Sequence, residues 1–157
     1  MSALAVQEAE AIQTLEIVKE ELIAAPIDVV FETLLEQIGP YNAAPDGTPI
    51  PMKLEAWPGG RWYRDLGGDN GHFWGHVQAI KRPTLLEICG PLFASSPFLS
   101  NVQYRLTEVN GGTLISFRHT ALGFISDDQR KGVGGGWQSM LERVRARAVA
   151  SSPGARA

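Results

Sequence analysis

Across the tripeptide Asn110-Gly111-Gly112 the chain passes from one alternating segment into another. Before it, Val102, Tyr104 and Leu106 alternate with Asn101, Gln103 and Arg105; after it, Ile115, Phe117 and His119 alternate with Leu114, Ser116 and Arg118. A period of two on both sides of a turn predicts an antiparallel hairpin with one apolar and one wet face. Four more segments of this kind precede it, at 52–57, 60–66, 72–80 and 84–90, and the hairpin itself occupies 99–109 and 113–121. The separators are Pro-Gly-Gly, Gly-Gly-Asp-Asn-Gly, Lys-Arg-Pro and a longer "PLFASSPF". Consecutive strands with short turns make an antiparallel meander. A sheet with one wet face must cover the other, and the largest apolar stripe available lies in 136–150. There Trp137, Met140, Leu141, Val144 and Ala148 recur at helical spacing, with Glu142, Arg143, Arg145 and Arg147 largely on the other side. This is an amphipathic C-terminal helix whose positive charge falls late, where the helix dipole favours it.

The front of the chain supplies two more elements. Residues 14–24 read as a strand ended by Ala25-Pro26, since the residue before proline favours an extended backbone. Pro26 suits the first turn of a helix, and Ile27, Val30, Phe31, Leu34 and Leu35 follow at helical spacing up to Gly39-Pro40. Residues 40–51 hold four prolines and one Asp-Gly, so they read as a loop or a few turns. The predicted order is strand, short helix, six strands, long helix, an α+β fold. We expect a single domain over 14–149, an N-terminal extension over 1–13, and a flexible tail over 150–157, where "SSPGARA" is small, polar and proline-broken.

Composition narrows the function. The 157 residues are 44% hydrophobic, enough for one buried core, and a net charge of -3 without long charged runs argues against nucleic-acid binding. No apolar run approaches a membrane span and the N-terminus lacks the pattern of a signal peptide, so neither membrane insertion nor export is expected. The lone Cys89 cannot form an internal disulfide, which fits a cytoplasmic location.

Several residues could carry chemistry. In "EAWPGGRW", Pro58 and Gly59 suit the second and third positions of a type II turn, with Trp57 and Trp62 flanking it. Arg64 shares parity with Trp62 and Leu66. Turned inward, its guanidinium needs a carboxylate from Glu55, Glu87 or an acidic ligand; otherwise it is a rim residue or a structural ion pair. His72, Trp74 and His76 share one face at spacing two, but no third ligand stands at a telling distance, so no metal is expected. His119, at the inner end of its strand, could serve as hydrogen-bond partner or general base, or be a core histidine satisfied by a backbone carbonyl. Gly132, Gly134, Gly135 and Gly136 follow no strand and precede no P-loop lysine, so they read as a hinge or a close-packing point before the last helix. With Leu92, Phe93 and Phe98 they could gate a cavity, or those loop residues could simply pack over the sheet end. Cys89 reads as a small buried hydrophobe, and no Ser-His-Asp order or glycine-flanked nucleophile is visible.

The element order, together with four motifs, resembles the helix-grip superfamily that contains START lipid-transfer domains, polyketide cyclases and the birch-pollen allergen. The motifs are Ala25-Pro26 with Val30-Phe31, Pro58-Gly59-Gly60-Arg61-Trp62, "GTLISFRH" at 112–119, and Gly136-Trp137. They are most similar to the branch of heat-shock ATPase activator homologues. The resemblance implies about seven antiparallel strands curved around the long helix, one or two short helices after strand one, and an apolar cavity between sheet and helix. It puts Trp62 on the concave face and Trp57 near the rim. The resulting candidate ligand-binding set is Trp62, Arg64, Trp74, Phe98, Tyr104, Phe117, His119, Trp137 and Met140, with no cofactor. The function expected first is binding of a small, mostly apolar ligand such as a lipid or polyketide. A cyclase or hydratase using His119, Tyr104 or Arg64, and a protein-interaction module, are the alternatives, and a homodimer stays open. The Pro-rich 40–51 replaces a tryptophan-bearing helical segment of many members. Only a short stretch precedes the domain, which argues against heat-shock ATPase activation.

Overall fold

The computed structural model describes residues 3–8 and 11–152. Seven strands form one antiparallel sheet in the order β1-β7-β6-β5-β4-β3-β2, where β1 is Gln13–Ile23, β2 Lys53–Leu54, β3 Arg61–Gly67, β4 Asn70–Lys81, β5 Leu85–Gly90, β6 Phe98–Val109 and β7 Gly112–Gly123. Two helices complete it, α1 (Ile27–Ile38) after β1 and α2 (Asp127–Ser151) at the end. The curved sheet grips the long C-terminal helix, as the resemblance implies. A single short helix follows strand one, because the four prolines of 40–51 admit only turns and an isolated Ala43–Pro49 bridge.

The β6–β7 hairpin pairs Val102 with His119, Tyr104 with Phe117 and Leu106 with Ile115, all six buried. Asn110 and Gly111 take the positive φ values, 49° and 80°, that a two-residue turn between twisted strands requires. On the same inward face Leu86 and Ile88 of β5, Val77 of β4 and Trp62 of β3 meet Leu141, Val144 and Ala148 of α2.

Cys89 is half-buried and not the buried hydrophobe expected, because it shares the outer parity of β5 with Leu85 and Glu87. Two predictions about the elements also need correcting. The last helix starts at Asp127, nine residues before the expected 136, because Ser126 and Gln129 form a reciprocal cap. The Gln129 amide N–H donates to Ser126 Oγ at 3.1 Å, and the Ser126 amide N–H donates to Gln129 Oε1 at 2.9 Å. The four glycines therefore lie inside α2 and not ahead of it. The helix also takes up Ala150 and Ser151 of the expected tail; residues 153–157 lie outside the described residues. The second correction concerns β4. The register passes from Trp62↔Gly75 to Tyr63↔Phe73, leaving Trp74 as the extra residue of a bulge. His76 consequently faces outward, its ring tilted against that of Phe73 at 4.9 Å, and does not share a face with His72.

Candidate ligand-binding cavity

A cleft of about 330 Å³ opens between the first half of α2, the Pro-rich segment after α1, and the inward ends of β3 and β4. Its walls are Val133, Trp137 and Met140 from α2, Trp62 and Trp74 from the sheet, Phe93 from the β5–β6 connection, and Ile38 and Ile50 from the far side. Asn42 and Gln129 supply side-chain amides at its edge, and among the described residues no charged side chain lines it. Gly132 and Gly136, one helical turn apart, form bare stretches of the α2 wall; a Cβ added to either would meet nothing within 4 Å. The close-packing expectation for these glycines is thus overturned, since they leave space.

Three indoles could have made the cleft polar, but each N–H is engaged behind the wall. Trp62 Nε1 donates to the Ile38 carbonyl at 2.8 Å, Trp74 Nε1 to His72 Nδ1 at 3.0 Å, and Trp137 Nε1 to His119 Nδ1 at 3.0 Å. Only ring surface is left for an occupant, and the back-bonds fix the ring orientations. Trp62 and Trp74 meet edge to face at 5.0 Å, and Phe93 extends the cluster at 6.1 Å from Trp74.

His119 explains how one of these anchors works. It is fully buried between β7 and α2, and burial holds its imidazole down at about 4, so the ring is neutral. Because Nδ1 accepts from Trp137, the ring proton sits on Nε2 and donates to Ser100 Oγ at 2.8 Å. The predicted histidine is satisfied, by two side chains and not by a backbone carbonyl.

Of the nine predicted ligand contacts, Trp62, Trp74, Trp137 and Met140 line the cleft. Tyr104, Phe117 and His119 lie one layer behind Trp137: Phe117 packs against Trp137 at 4.9 Å and Tyr104 against Phe117 at 5.2 Å. The Tyr104 hydroxyl is buried without a hydrogen-bond partner among the described residues, and that burial pushes its pKa up. Phe98 sits 6.4 Å from His119 and belongs to a separate apolar groove with Leu99 and Leu122. Arg64 is half-buried on the Trp62 side of β3 but outside the cleft lining, and Glu55 pairs with Arg61 instead, at 2.7 Å. That bond draws the Glu55 carboxyl down to about 2. Trp57 is exposed, as a rim position implies, and the turn beside it is type II, with Gly59 at φ +84° and the Gly60 amide donating to the Trp57 carbonyl at 2.8 Å.

Sequence reasoning did not place Ile38, Ile50, Asn42 and Gln129 in this wall. Ile50, apolar between two prolines in an otherwise polar loop, was the available signal.

Residues 24–148 match the sequence profile described as "Activator of Hsp90 ATPase homolog 1-like protein". The chain belongs to this family. Proteins of this fold commonly bind hydrophobic ligands. No curated protein matches the chain. Among solved structures, Mll3558 from Rhizobium loti is similar over 87% of this chain and 99% of its own, with TM-score 0.67 and 17% identity. The structure of Ara h 8.0201 is similar over 90% and 100%, with TM-score 0.64 and 14% identity. CalU16 from Micromonospora echinospora is similar over 88% and 87%, with TM-score 0.60 and 22% identity. At such identities these likenesses establish the fold and leave function to the site.

Proposed function

We propose that this family member binds a small, mostly apolar ligand, a lipid, polyketide or similar compound, in the cleft between β3–β4, the Pro-rich segment and α2. The observation that carries the reading is the lining itself: three indoles and a phenyl ring with every indole N–H tied back, no charged side chain among the described residues, and two glycines that leave volume unfilled. Burying an apolar ligand on such a surface gains on the order of 25 cal/mol per Å² removed from water. The cyclase or hydratase reading is less well supported, because His119 has both ring nitrogens engaged and Tyr104 is enclosed in the core. Neither presents a proton-transfer group to the cleft. A cytoplasmic location, suggested by the lone Cys89, is part of the same proposal.

Native mass spectrometry of the purified protein, followed by organic extraction, tests the reading. We expect a bound small molecule, or a rise in Tm with at least one member of a panel of fatty acids, sterols and polyketides. Saturation to 100 Kd corresponds to about 2.7 kcal/mol of stabilisation. An empty protein that no panel member stabilises would sink the proposal.

A further inference from the structure

Arg64 and His72 are direct cross-strand partners on β3 and β4, and by strand parity both belong to the face that carries Trp62. Direct partners hold their Cβ atoms about 5 Å apart, close enough for both side chains to reach one small group. Among the described residues the four ion pairs leave Arg64 out. Of the acids near it, Asp65 bonds Lys53 Nζ and the Gly67 amide and Glu55 bonds Arg61, while Asp69 borders the same hollow as Arg64 and His72 without pairing with either. Half-buried Arg64 thus keeps its donors free of any ion pair among the described residues.

The imidazole opposite is also set up to donate. His72 Nδ1 accepts the Trp74 indole N–H at 3.0 Å, which in the neutral ring puts the proton on Nε2. Trp74 in turn lines the cleft, so His72 stands one side chain away from it. The bulge at Trp74 creates this arrangement. The extra residue keeps Trp74 in the cleft wall and brings His72 directly across from Arg64 on the same face.

We infer that Arg64 and His72 form an anion subsite beside the cleft, so that the ligand is an amphiphile with an apolar body against Trp62 and Trp74 and a single carboxylate as its head. This rests on the cleft being a ligand site. A guanidinium offers two parallel N–H donors to the two oxygens of a carboxylate, and the His72 Nε2–H adds a third.

A matched pair of fluorescent probes separates the two ideas. N-phenyl-1-naphthylamine is uncharged, and 8-anilino-1-naphthalenesulfonate has the same ring system with an anionic group. We expect both to bind, the anion about tenfold more tightly, and the ratio of the two Kd values to fall to near one in Arg64→Gln. Arg64→Lys, which keeps the charge but loses the fork, should restore part of that ratio, and His72→Gln should lower it several-fold. Displacement by decanoate, decyl phosphate and decanol identifies the head group, decanoate being the strongest. Binding of the neutral probe with no preference for the anion, or a preference that survives Arg64→Gln, overturns the subsite and leaves the cleft standing. Decyl phosphate outcompeting decanoate overturns the carboxylate assignment. Failure of both probes and all three displacers counts against the cleft itself.

Discussion

The two halves of α2 are built from opposite materials. In residues 137–151 Trp137, Met140, Leu141, Val144 and Ala148 are buried, and three arginines fasten the exposed side. Arg145 pairs with Glu21 of β1, Arg147 with Glu36 of α1 at 2.7 Å and with the Tyr41 ring at 3.9 Å, and Arg143 reaches the Pro45 carbonyl at 3.2 Å. Residues 127–136 bury Val133 alone and spend four positions on glycine. Relative to alanine those glycines weaken the helix by about 4 kcal/mol in total, and none is required by a neighbouring atom. What holds this half is its N-terminal cap and one exposed arginine, Arg130, on Gln13 Oε1 and the Thr14 carbonyl. The second half anchors the fold and lends Trp137 and Met140 to the cleft wall, while the first half bounds the cleft largely by lacking side chains where volume is needed.

The largest expected difference lies in truncation. Leu141→Ala removes a fully buried side chain from the anchoring half and should cost about 3 kcal/mol, including the cavity it leaves. Val133→Ala, beside an existing cleft, deletes less and creates no new enclosed void, so about 1 kcal/mol is expected. Urea denaturation with unchanged m-values measures both. Equal costs would mean that the two halves are packed alike.

The junction between the halves, where Trp137 is tied to His119, should respond to pH. The folded imidazole titrates at about 4 against 6.5 in its ordinary state, so between those values the unfolded chain binds the extra proton. The stabilisation is complete above about pH 6.5 and declines as pH falls towards 4, by about 3 kcal/mol in total. Below pH 4 this contribution stays flat. Subtracting the pH-stability curve of His119→Gln from that of the unaltered protein isolates the effect, and NMR titration of the imidazole checks it directly. A titration near 6.5 in the folded protein would break the account of the junction.

How far the sequence foretold this arrangement varies by element. The β6–β7 hairpin was legible because strict alternation and Asn110-Gly111 point to the same structure. The anchoring half of α2 was legible from its periodic apolar positions. Its first half was not, because four glycines read as a break, although Ser126 and Gln129 spelled the capping box that starts the helix. The bulge at Trp74 escaped parity reasoning, since inserting one residue inverts every assignment beyond it. Its trace in the sequence is indirect: a Cβ on Gly90 would come within 2.4 Å of the Trp74 carbonyl oxygen, so the partner strand has to be bare there. The tryptophans of the cleft were legible as inward aromatics. The Pro-rich far wall was not, because it closes on the sheet through long-range contacts that no local pattern encodes.

The smallest expected effect separates helix weakness from cleft volume. Gly135 is exposed on α2 with no atom near its missing Cβ, so Gly135→Ala should stabilise the protein by about 1 kcal/mol and leave probe binding unchanged. Gly136 has the same freedom but faces the cleft. Gly136→Leu should gain similar helix stability while weakening binding of N-phenyl-1-naphthylamine at least tenfold, because the side chain fills the volume the ligand needs. Thermal unfolding and fluorescence titration on the two variants read the two quantities separately. If Gly136→Leu binds the probe as well as the unaltered protein, the bare helix face is not part of the ligand's wall. If Gly135→Ala destabilises, the glycines answer to something other than the space they leave.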